Sequence, residues 1–184
     1  MAESAIDRAR TRWSLPATHK VVFPGQDSGL DFKRARELAR LLMPKLIGPD
    51  GKVRAKTLKE LEDILSASGV RHFSENPYGP QPGKMIFYSG GRLFVRVKTC
   101  GESEGKPRAG VPHLSVFLVN QTNLMAQDLV KWGNEFVKFS STGLARQKGG
   151  KQGDPKLRLV GIDMESWAGE THFNFPVSGC LPEV

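Results

Sequence analysis

Cysteine and histidine are scarce in this sequence, and the metal-binding motifs built from them are missing. Its two cysteines, Cys100 and Cys180, are too few for a disulfide framework or a four-thiolate zinc site. Their spacing leaves open whether they pair with each other. None of the four histidines belongs to a His-x-Glu or HExxH motif, and no CxxC pair occurs. The sequence therefore argues against zinc-dependent deaminases and zincin proteases.

Long apolar segments and phosphate-binding loops are lacking as well. No run approaches the roughly 20 apolar residues of a transmembrane helix, and the first residues, MAESAIDRARTRW, lack the apolar centre of a signal peptide. Gly149 and Gly150 are not followed by the lysine–hydroxyl pair of a P-loop, and the acidic residues are too scattered for a divalent-cation nuclease site. We therefore expect no metal and no cofactor. The protein would be cytoplasmic, or it would be a part of a larger polypeptide that exports it.

Basic charge is the strongest feature of the composition. Lysine and arginine outnumber the acidic residues by 27 to 19, and the net charge of +8 favours a polyanionic partner. Such a partner could be nucleic acid, an anionic membrane surface or an acidic protein. The length of 184 residues and a hydrophobic content of 39% suffice for one globular core. Prolines and glycines between Ser14 and Gly29 predict an extension or linker over residues 1–29, followed by a single domain over residues 30–184.

Helical spacing characterises the first part of this domain. From Leu30 to Met43, apolar residues recur every three or four positions, and Pro44 predicts a kink in the helix or its end. Thr57 and Glu60 form the capping box of a second helix, which Gly69 would end. The helices precede the strands along the chain, and this order predicts the α+β class.

A strand hairpin is predicted between Lys84 and Asn120. Apolar residues alternate in it with polar or aromatic ones, which is the period of half-buried strands. A shift of one residue would bury the charged positions, so the alternation specifies which side chains face the core. The core-facing set is Leu93, Val95, Val97, Leu114, Val116 and Leu118, and the opposite set is Arg92, Phe94, Arg96, Lys98, His113, Ser115 and Phe117.

One more helix, a basic loop and a late strand are predicted after the hairpin. The helix runs from Thr122 to about Phe136. Residues 139–155, FSSTGLARQKGGKQGDP, are polar and rich in glycine and basic residues, and they predict a loop. With Lys138, which precedes it, this loop could bind along the phosphate backbone of a nucleic acid. The alternating residues 171–175, THFNF, predict a strand that carries His172.

The side chains suited to chemistry form a metal-free set of imidazole, amine and hydroxyl groups. His113 and His172 are candidates for proton transfer, because imidazole titrates near neutral pH. This set suits RNA cleavage, in which a base takes the ribose 2′-hydroxyl proton, an acid protonates the leaving 5′-oxygen, and cations neutralise the phosphorane. DNA lacks this nucleophile, and Phe94 could stack a base. The candidate catalytic residues are His113, His172, Lys98, Thr99 and Ser115, and the candidate RNA- or phosphate-binding residues are Arg92, Arg96, Lys106, Arg108, Lys148 and Lys151.

Three segments, in their order, resemble a known group of toxins. GKMIFYSGGRLFVRVKT, a loop ending in RAGVPHLSV, and THFNFP are similar to the C-terminal toxin domains of bacterial polymorphic toxins of the contact-dependent inhibition and Rhs types. The similarity extends over roughly residues 30–178. Many such domains share the barnase/EndoU/colicin/RelE-like fold, so the resemblance implies N-terminal helices packed on a curved antiparallel β-sheet, with a helix inserted after the central hairpin.

The same resemblance implies an activity and partners. Members are commonly metal-independent ribonucleases, often act on tRNA, and serve in interbacterial competition. The resemblance therefore implies a longer delivery polypeptide that is secreted, action in the cytoplasm of the target cell, and an acidic immunity protein as partner. The residues that match in kind are His113, His172, Lys98, Thr99, Arg108 and Ser115.

Two other functions remain open from the sequence. A non-catalytic nucleic-acid-binding module needs only the basic face and Phe94, and its binding would not depend on His113 or His172. An NAD-consuming or ADP-ribosylating toxin would need a catalytic glutamate. The glutamates near the predicted strands are Glu102, Glu104 and Glu165.

Overall fold

The computed structural model describes residues 20–21, 32–70, 72–75, 85–90, 93–101, 110–118, 124–125, 137–148 and 161–184. The helices in these ranges are α1 (Phe32–Leu46), α2 (Leu58–Ala67) and α3 (Met164–Thr171). The strands are β1 (Lys20–Val21), β2 (His72–Glu75), β3 (Met85–Gly90), β4 (Leu93–Lys98), β5 (His113–Leu118), β6 (Leu124–Met125), β7 (Val137–Phe139), β8 (Ala145–Lys148), β9 (Gly161–Ile162) and β10 (Phe173–Asn174). The α+β class is confirmed. Within the described ranges, no helix is both long and apolar enough to cross a membrane.

The main sheet is built around β5, which pairs along both of its edges. Its strand order is β2-β3-β4-β5-β7-β8-β9, and the pairings are antiparallel apart from the parallel pair β8 and β9. Strand β4 occupies one edge of β5. On the other edge, β10 pairs with His113 and Leu114, and β7 pairs with Phe117 and Leu118. The strands β7 and β10 therefore lie against the same short strand.

The hydrophobic core lies on one face of this sheet, and the predicted phase of the hairpin is confirmed. The apolar residues of β4 and β5 are buried there in one cluster with apolar residues of α1 and α2. Burial of each such side chain contributes about 1.5–3 kcal/mol to the stability of the folded state. The core-facing residues of the central strands are Leu93, Val95, Val97, Leu114, Val116, Leu118, Val137 and Phe139.

Helix α1 continues past Pro44, which was predicted to kink the helix or to end it. The helix ends at Leu46, with Pro44 inside its last turn. Proline removes its own N–H donor only, and the amide of Ile47 still bonds to the Met43 carbonyl at 2.9 Å. The Pro44 carbonyl accepts a hydrogen bond from Arg54 Nε at 3.2 Å, which satisfies a terminal acceptor of the helix.

Helix α2 has the two ends that its sequence predicts. The Thr57 hydroxyl accepts a hydrogen bond from the Glu60 amide at 3.1 Å, and the Glu60 carboxylate accepts one from the Lys56 amide at 2.7 Å. Gly69 follows the helix with φ of 86°, a left-handed conformation that glycine adopts without a steric penalty. Its amide and the next one bond back to carbonyls of the last turn, which is a Schellman cap.

The loop predicted over residues 139–155 is a hairpin over its described part. A turn joins β7 to β8, and in it the Ser140 amide bonds to the Leu144 carbonyl at 2.8 Å. Gly143 in this turn has φ of 81°, and a Cβ there would lie 2.8 Å from Arg40 Cα, so the position requires glycine. Pairing with β5 creates the strand, and the local composition did not show it. Residues 149–155 lie outside the described ranges.

Two other predicted elements are replaced because of pairing elsewhere in the fold. Leu124 and Met125, predicted to be helical, form β6 and pair with β1. The rest of that predicted helix, and of the predicted extension around β1, lies outside the described residues. Of the strand predicted over residues 171–175, only Phe173–Asn174 is a strand, because Thr171 ends α3 and His172 is its C-terminal cap. Tertiary contacts override the local period at these sites.

The segment after β10 is tied covalently to the rest of the domain. Cys180 forms a disulfide with Cys100, which stands shortly after β4. The Pro182 carbonyl accepts a hydrogen bond from the Leu58 amide at 2.8 Å, at the start of α2. The pairing that the sequence left open is thus formed, and it joins the end of β4 to the last residues of the chain.

Candidate functional site

The face of the sheet opposite the core, here called the second face, brings together polar residues of β4 and β5. Arg96 lies directly opposite Ser115, and Lys98 lies directly opposite His113. Directly opposed residues of antiparallel strands project to the same side, with their Cβ atoms about 4.5–5.5 Å apart. The structure therefore places these predicted residues on one face of the sheet.

The apolar residues of the second face are packed and do not form a binding platform. Phe94 and Phe117 are both fully buried, and their rings stack with centroids 5.6 Å apart. Their contact joins β4 to β5. The prediction that Phe94 could stack a base is therefore wrong for this structure, since its ring is not accessible. Helix α3 lies against β7 and β8.

His113 opens β5 between the strands β4 and β10. It is only 5% exposed, and its Nδ1 lies 3.2 Å from the Val111 carbonyl oxygen. A carbonyl oxygen can only accept, so Nδ1 carries the hydrogen and Nε2 presents a lone pair when the ring is neutral. The half-buried Lys98 and Asn174 lie opposite His113 on the two neighbouring strands. This environment suits a proton acceptor beside a cation.

His172 approaches His113 from the end of α3. The two ring centroids are 6.3 Å apart, although the side chains come from different elements. Nδ1 of His172 lies 2.9 Å from the Ala168 carbonyl oxygen, and the Thr171 hydroxyl lies 3.3 Å from the same nitrogen. The last turn of the helix therefore holds the hydrogen of His172 on Nδ1 and directs Nε2 elsewhere.

Lys138 completes the cluster, and sequence reasoning had placed it only in a phosphate-binding loop. It is the middle residue of β7 and is fully buried. Its Nζ lies 3.1 Å from Nε2 of His172. The available signal was the alternation Val137-Lys138-Phe139, two buried apolar residues flanking a lysine. The predicted helix and loop on either side concealed this short strand.

The contact between Lys138 and His172 restricts where protons can reside. Because Nδ1 of His172 already donates to a carbonyl, a protonated Nε2 would face an ammonium group that can only donate. The hydrogen bond therefore requires at least one proton fewer than the fully protonated pair would carry, and the state with one proton shared between the two groups can take two forms. Either the lysine is charged and the imidazole is neutral, or the amine is neutral and the imidazole is charged. The pair acts as one titrating unit.

Helix α3 is fixed in position by contacts at both of its ends. Its N-cap Asp163 accepts a hydrogen bond from the Ser166 amide at 3.0 Å, and this bond lowers the pKa of the Asp163 carboxyl below its ordinary value of 3.8. Nε1 of Trp167 donates to the Arg146 carbonyl on β8 at 3.3 Å. Arg146 Nε lies 2.8 Å from a Glu170 oxygen, which makes a close ion pair between β8 and α3.

Of the remaining predicted residues, Thr99 is buried and Glu165 is exposed, and the others are described by their backbone alone or lie outside the described residues. Thr99 is buried one residue beyond β4, in the phase of Val97, and its carbonyl accepts from the Leu181 amide at 2.6 Å. Lys148 lies in β8, with its backbone paired to Ile162. Glu165, a candidate for the alternative NAD chemistry, is exposed in the first turn of α3. Arg92, Lys106, Arg108, Lys151, Glu102 and Glu104 lie outside the described residues.

Comparisons with known proteins found no match: no protein-family model, no curated protein and no solved structure matches this chain. Over the part of the chain that is described, no group of three or more histidine, cysteine, aspartate or glutamate residues is placed to hold a metal ion. The functional assignment must therefore be argued from the chemistry of the cluster.

Proposed function

We propose that this domain is a metal-independent endoribonuclease. The observation that supports it is the convergence of His113, His172 and Lys138 from three separate elements, with 3.1 Å between the lysine and one imidazole and 6.3 Å between the imidazole rings. Two proton-transfer groups and a cation are the components that cleavage through the ribose 2′-hydroxyl requires.

In this reaction His113 acts as the base. Its Nε2 presents a lone pair, and it can take the proton from the 2′-hydroxyl while Nδ1 continues to donate to Val111. The 2′-oxygen then attacks the adjacent phosphorus. Arg96 and Lys98, half-buried on the same face, neutralise the phosphorane that forms.

The pair of Lys138 and His172 acts as the acid. His172 is half-buried whereas Lys138 is fully buried, so the single shared proton passes through the imidazole to the 5′-oxygen as the bond from phosphorus to that oxygen breaks. The products are a 2′,3′-cyclic phosphate and a 5′-hydroxyl end, so the protons and the phosphate are balanced without an added reactant. Each proton transfer of this kind contributes about 10²- to 10⁴-fold to the rate.

We further propose that the domain serves as a polymorphic toxin tip that acts on RNA, with tRNA as the first class to test. The net charge of +8 supports a polyanionic substrate and an acidic immunity protein that covers the second face. In that setting a longer secreted polypeptide delivers the domain to the cytoplasm of a competing cell.

The test is RNA cleavage in excess EDTA. Total bacterial RNA and purified tRNA would be incubated with the wild-type protein, with His113→Ala and with His72→Ala. The last variant is the matched control, because His72 lies on β2 at the far edge of the sheet. We expect discrete fragments with 2′,3′-cyclic phosphate ends from the wild type and from His72→Ala. The rate for His113→Ala should fall by at least about 10²-fold.

Other results would reject the proposal in distinct ways. RNA that is bound but left intact by all three proteins indicates a non-catalytic binding module. Intact RNA together with consumption of NAD indicates the glutamate-dependent chemistry. Cleavage that persists in His113→Ala at the wild-type rate removes this histidine from the mechanism.

A further inference from the structure

We propose that Trp167 is a positioning residue that keeps the shared proton of the Lys138–His172 pair on the lysine. The role in catalysis rests on the ribonuclease function proposed above. The location of the proton is a property of the protein without RNA, and it can be measured separately.

The geometry places the ammonium group over the indole. Nζ of Lys138 lies 4.6 Å from the centroid of the Trp167 ring, within the range of about 6 Å in which the face of an aromatic ring attracts a cation. Lys138 is fully buried and Trp167 is 3% exposed, so little water screens this contact. Cation–π attraction is strongest at such desolvated positions.

The indole favours charge on the amine over charge on the imidazole. The His172 ring centroid is 5.6 Å from the Trp167 ring, farther than Nζ, and the two ring planes are inclined at 73°. A neutral amine gains almost nothing from the π face, whereas an ammonium gains the full electrostatic attraction. Trp167 therefore shifts the proton toward Lys138 and leaves Nε2 of His172 as a hydrogen-bond acceptor.

The charged groups around the Lys138–His172 pair favour the state in which the pair carries one shared proton over the state with two. Arg146 lies directly opposite Lys138 on β8, and Glu170 of α3 balances its charge. The ring of His113 on β5 also lies close, with its centroid 6.3 Å from that of His172. Beyond it, Lys98 and Arg96 on β4 add positive charge. A second proton on the pair would be repelled by these cations.

The consequence for catalysis is a wider pH range for the acid. An ammonium group holds its proton to higher pH than an imidazolium does. With the proton stored on Lys138, the pair should keep it to higher pH than an imidazolium alone would. Trp167 achieves this without contacting RNA.

The test compares Trp167→Phe with Trp167→Leu. Both variants lose the indole N–H that donates to Arg146, so they differ chiefly in whether a π face remains. The first readout is the ¹⁵N signal of His172 Nε2 across a pH titration in the absence of RNA. The wild type and Trp167→Phe should keep Nε2 as an acceptor at neutral pH. In Trp167→Leu, a larger fraction should carry hydrogen on Nε2.

The second readout is the pH profile of RNA cleavage. The alkaline limb, where the acid loses its proton, should move to lower pH by about half to one pH unit in Trp167→Leu. In Trp167→Phe it should stay near the wild-type position. Equal behaviour of the two variants in both readouts would overturn the proposal, because it would mean that the indole only fills space.

A graded substitution covers the case in which the leucine variant does not fold. Fluorinated tryptophans weaken the π face and retain the ring shape, and Trp13 and Trp132, the other tryptophans of the chain, can be replaced by phenylalanine so that only Trp167 is labelled. The Nε2 signal should then shift progressively with the number of fluorines. A constant signal would contradict the inference. A shifting signal in a protein that cuts no RNA would retain the inference and reject the ribonuclease.

Discussion

Nζ of Lys138 and Nε2 of His172 lie 3.1 Å apart, although 34 positions separate the two residues in the chain. The lysine stands in the middle of a three-residue strand, and the histidine caps a helix. The pairing of β7 with β5 and the packing of α3 on β7 and β8 bring them together. This contact is the centre of the candidate site, and it leads to the first prediction.

Replacing Lys138 with methionine should abolish most RNA cleavage while leaving the fold intact. Methionine retains the length of the side chain and removes the charge, so the shared proton is lost and the rate should fall by about 10²-fold or more. Stability should fall by about 1–3 kcal/mol, because Nε2 of His172 loses its hydrogen-bond partner in a part-buried position. Cleavage rate and thermal unfolding would be measured side by side. Lys59→Met is the control, since Lys59 is 62% exposed in a surface ion pair with Asp63. Full activity in Lys138→Met would contradict the assigned role.

Reduction of the disulfide should lower the thermal stability strongly. Cys100 and Cys180 are 80 positions apart. Closing a loop of that length lowers the entropy of the unfolded chain and so stabilises the folded state by about 4–5 kcal/mol. For a chain of this size, the midpoint of thermal unfolding should fall by roughly 10 °C or more on addition of dithiothreitol. The double variant Cys100→Ser/Cys180→Ser should show the lower midpoint at once and no response to the reductant. An unchanged midpoint on reduction would mean that the unfolded chain is not constrained in this way.

Two glycines should respond to alanine in opposite ways. Gly143→Ala should destabilise the β7–β8 turn by more than about 1 kcal/mol, because φ is 81° and the new Cβ would meet the backbone of Arg40 at 2.8 Å. Gly169→Ala, inside α3 with nothing within 4 Å of its Cβ position, should be neutral or stabilising by up to about 1 kcal/mol. Chemical unfolding of both variants measures the difference. Equal effects would show that the turn does not need its left-handed residue.

Asp163 should make the stability of α3 dependent on acid pH. The hydrogen bond from the Ser166 amide lowers its pKa, so its contribution is fully present above the ordinary value of 3.8 and is lost as pH falls through the lowered pKa. Asp163→Ala should therefore unfold at a lower temperature than the wild type at neutral pH. This difference in unfolding temperature should disappear as the pH falls below 3.8. Thermal scans from pH 7 to pH 2 test this, with Glu165→Ala as the exposed control on the same turn. A gap that stays constant to the lowest pH would assign the effect to packing.

Local chemistry in the sequence determined several parts of this protein. The alternation of Leu93, Val95 and Val97 specified the core face of β4, because side chains of a strand alternate whatever its neighbours are. Thr57 and Gly69 specified the ends of α2, because a hydroxyl cap and a left-handed glycine act within one turn. The basic composition predicts a partner of negative charge. The same alternation predicted that His113 and Lys98 share a face, and only the register of β4 against β5 made them directly opposed.

The tertiary structure alone decided the assembly of the candidate site. A three-residue strand such as β7 is too short for its alternation to identify it, and it exists because β5 and β8 hydrogen-bond to it on both sides. That pairing moved Lys138 from a predicted loop to the interior. The end of α3 placed His172 against it, and the packing of Phe94 on Phe117 buried an aromatic ring that the sequence predicted to be open to a base. Local patterns specify which side of an element faces the core, whereas long-range pairing decides which side chains meet.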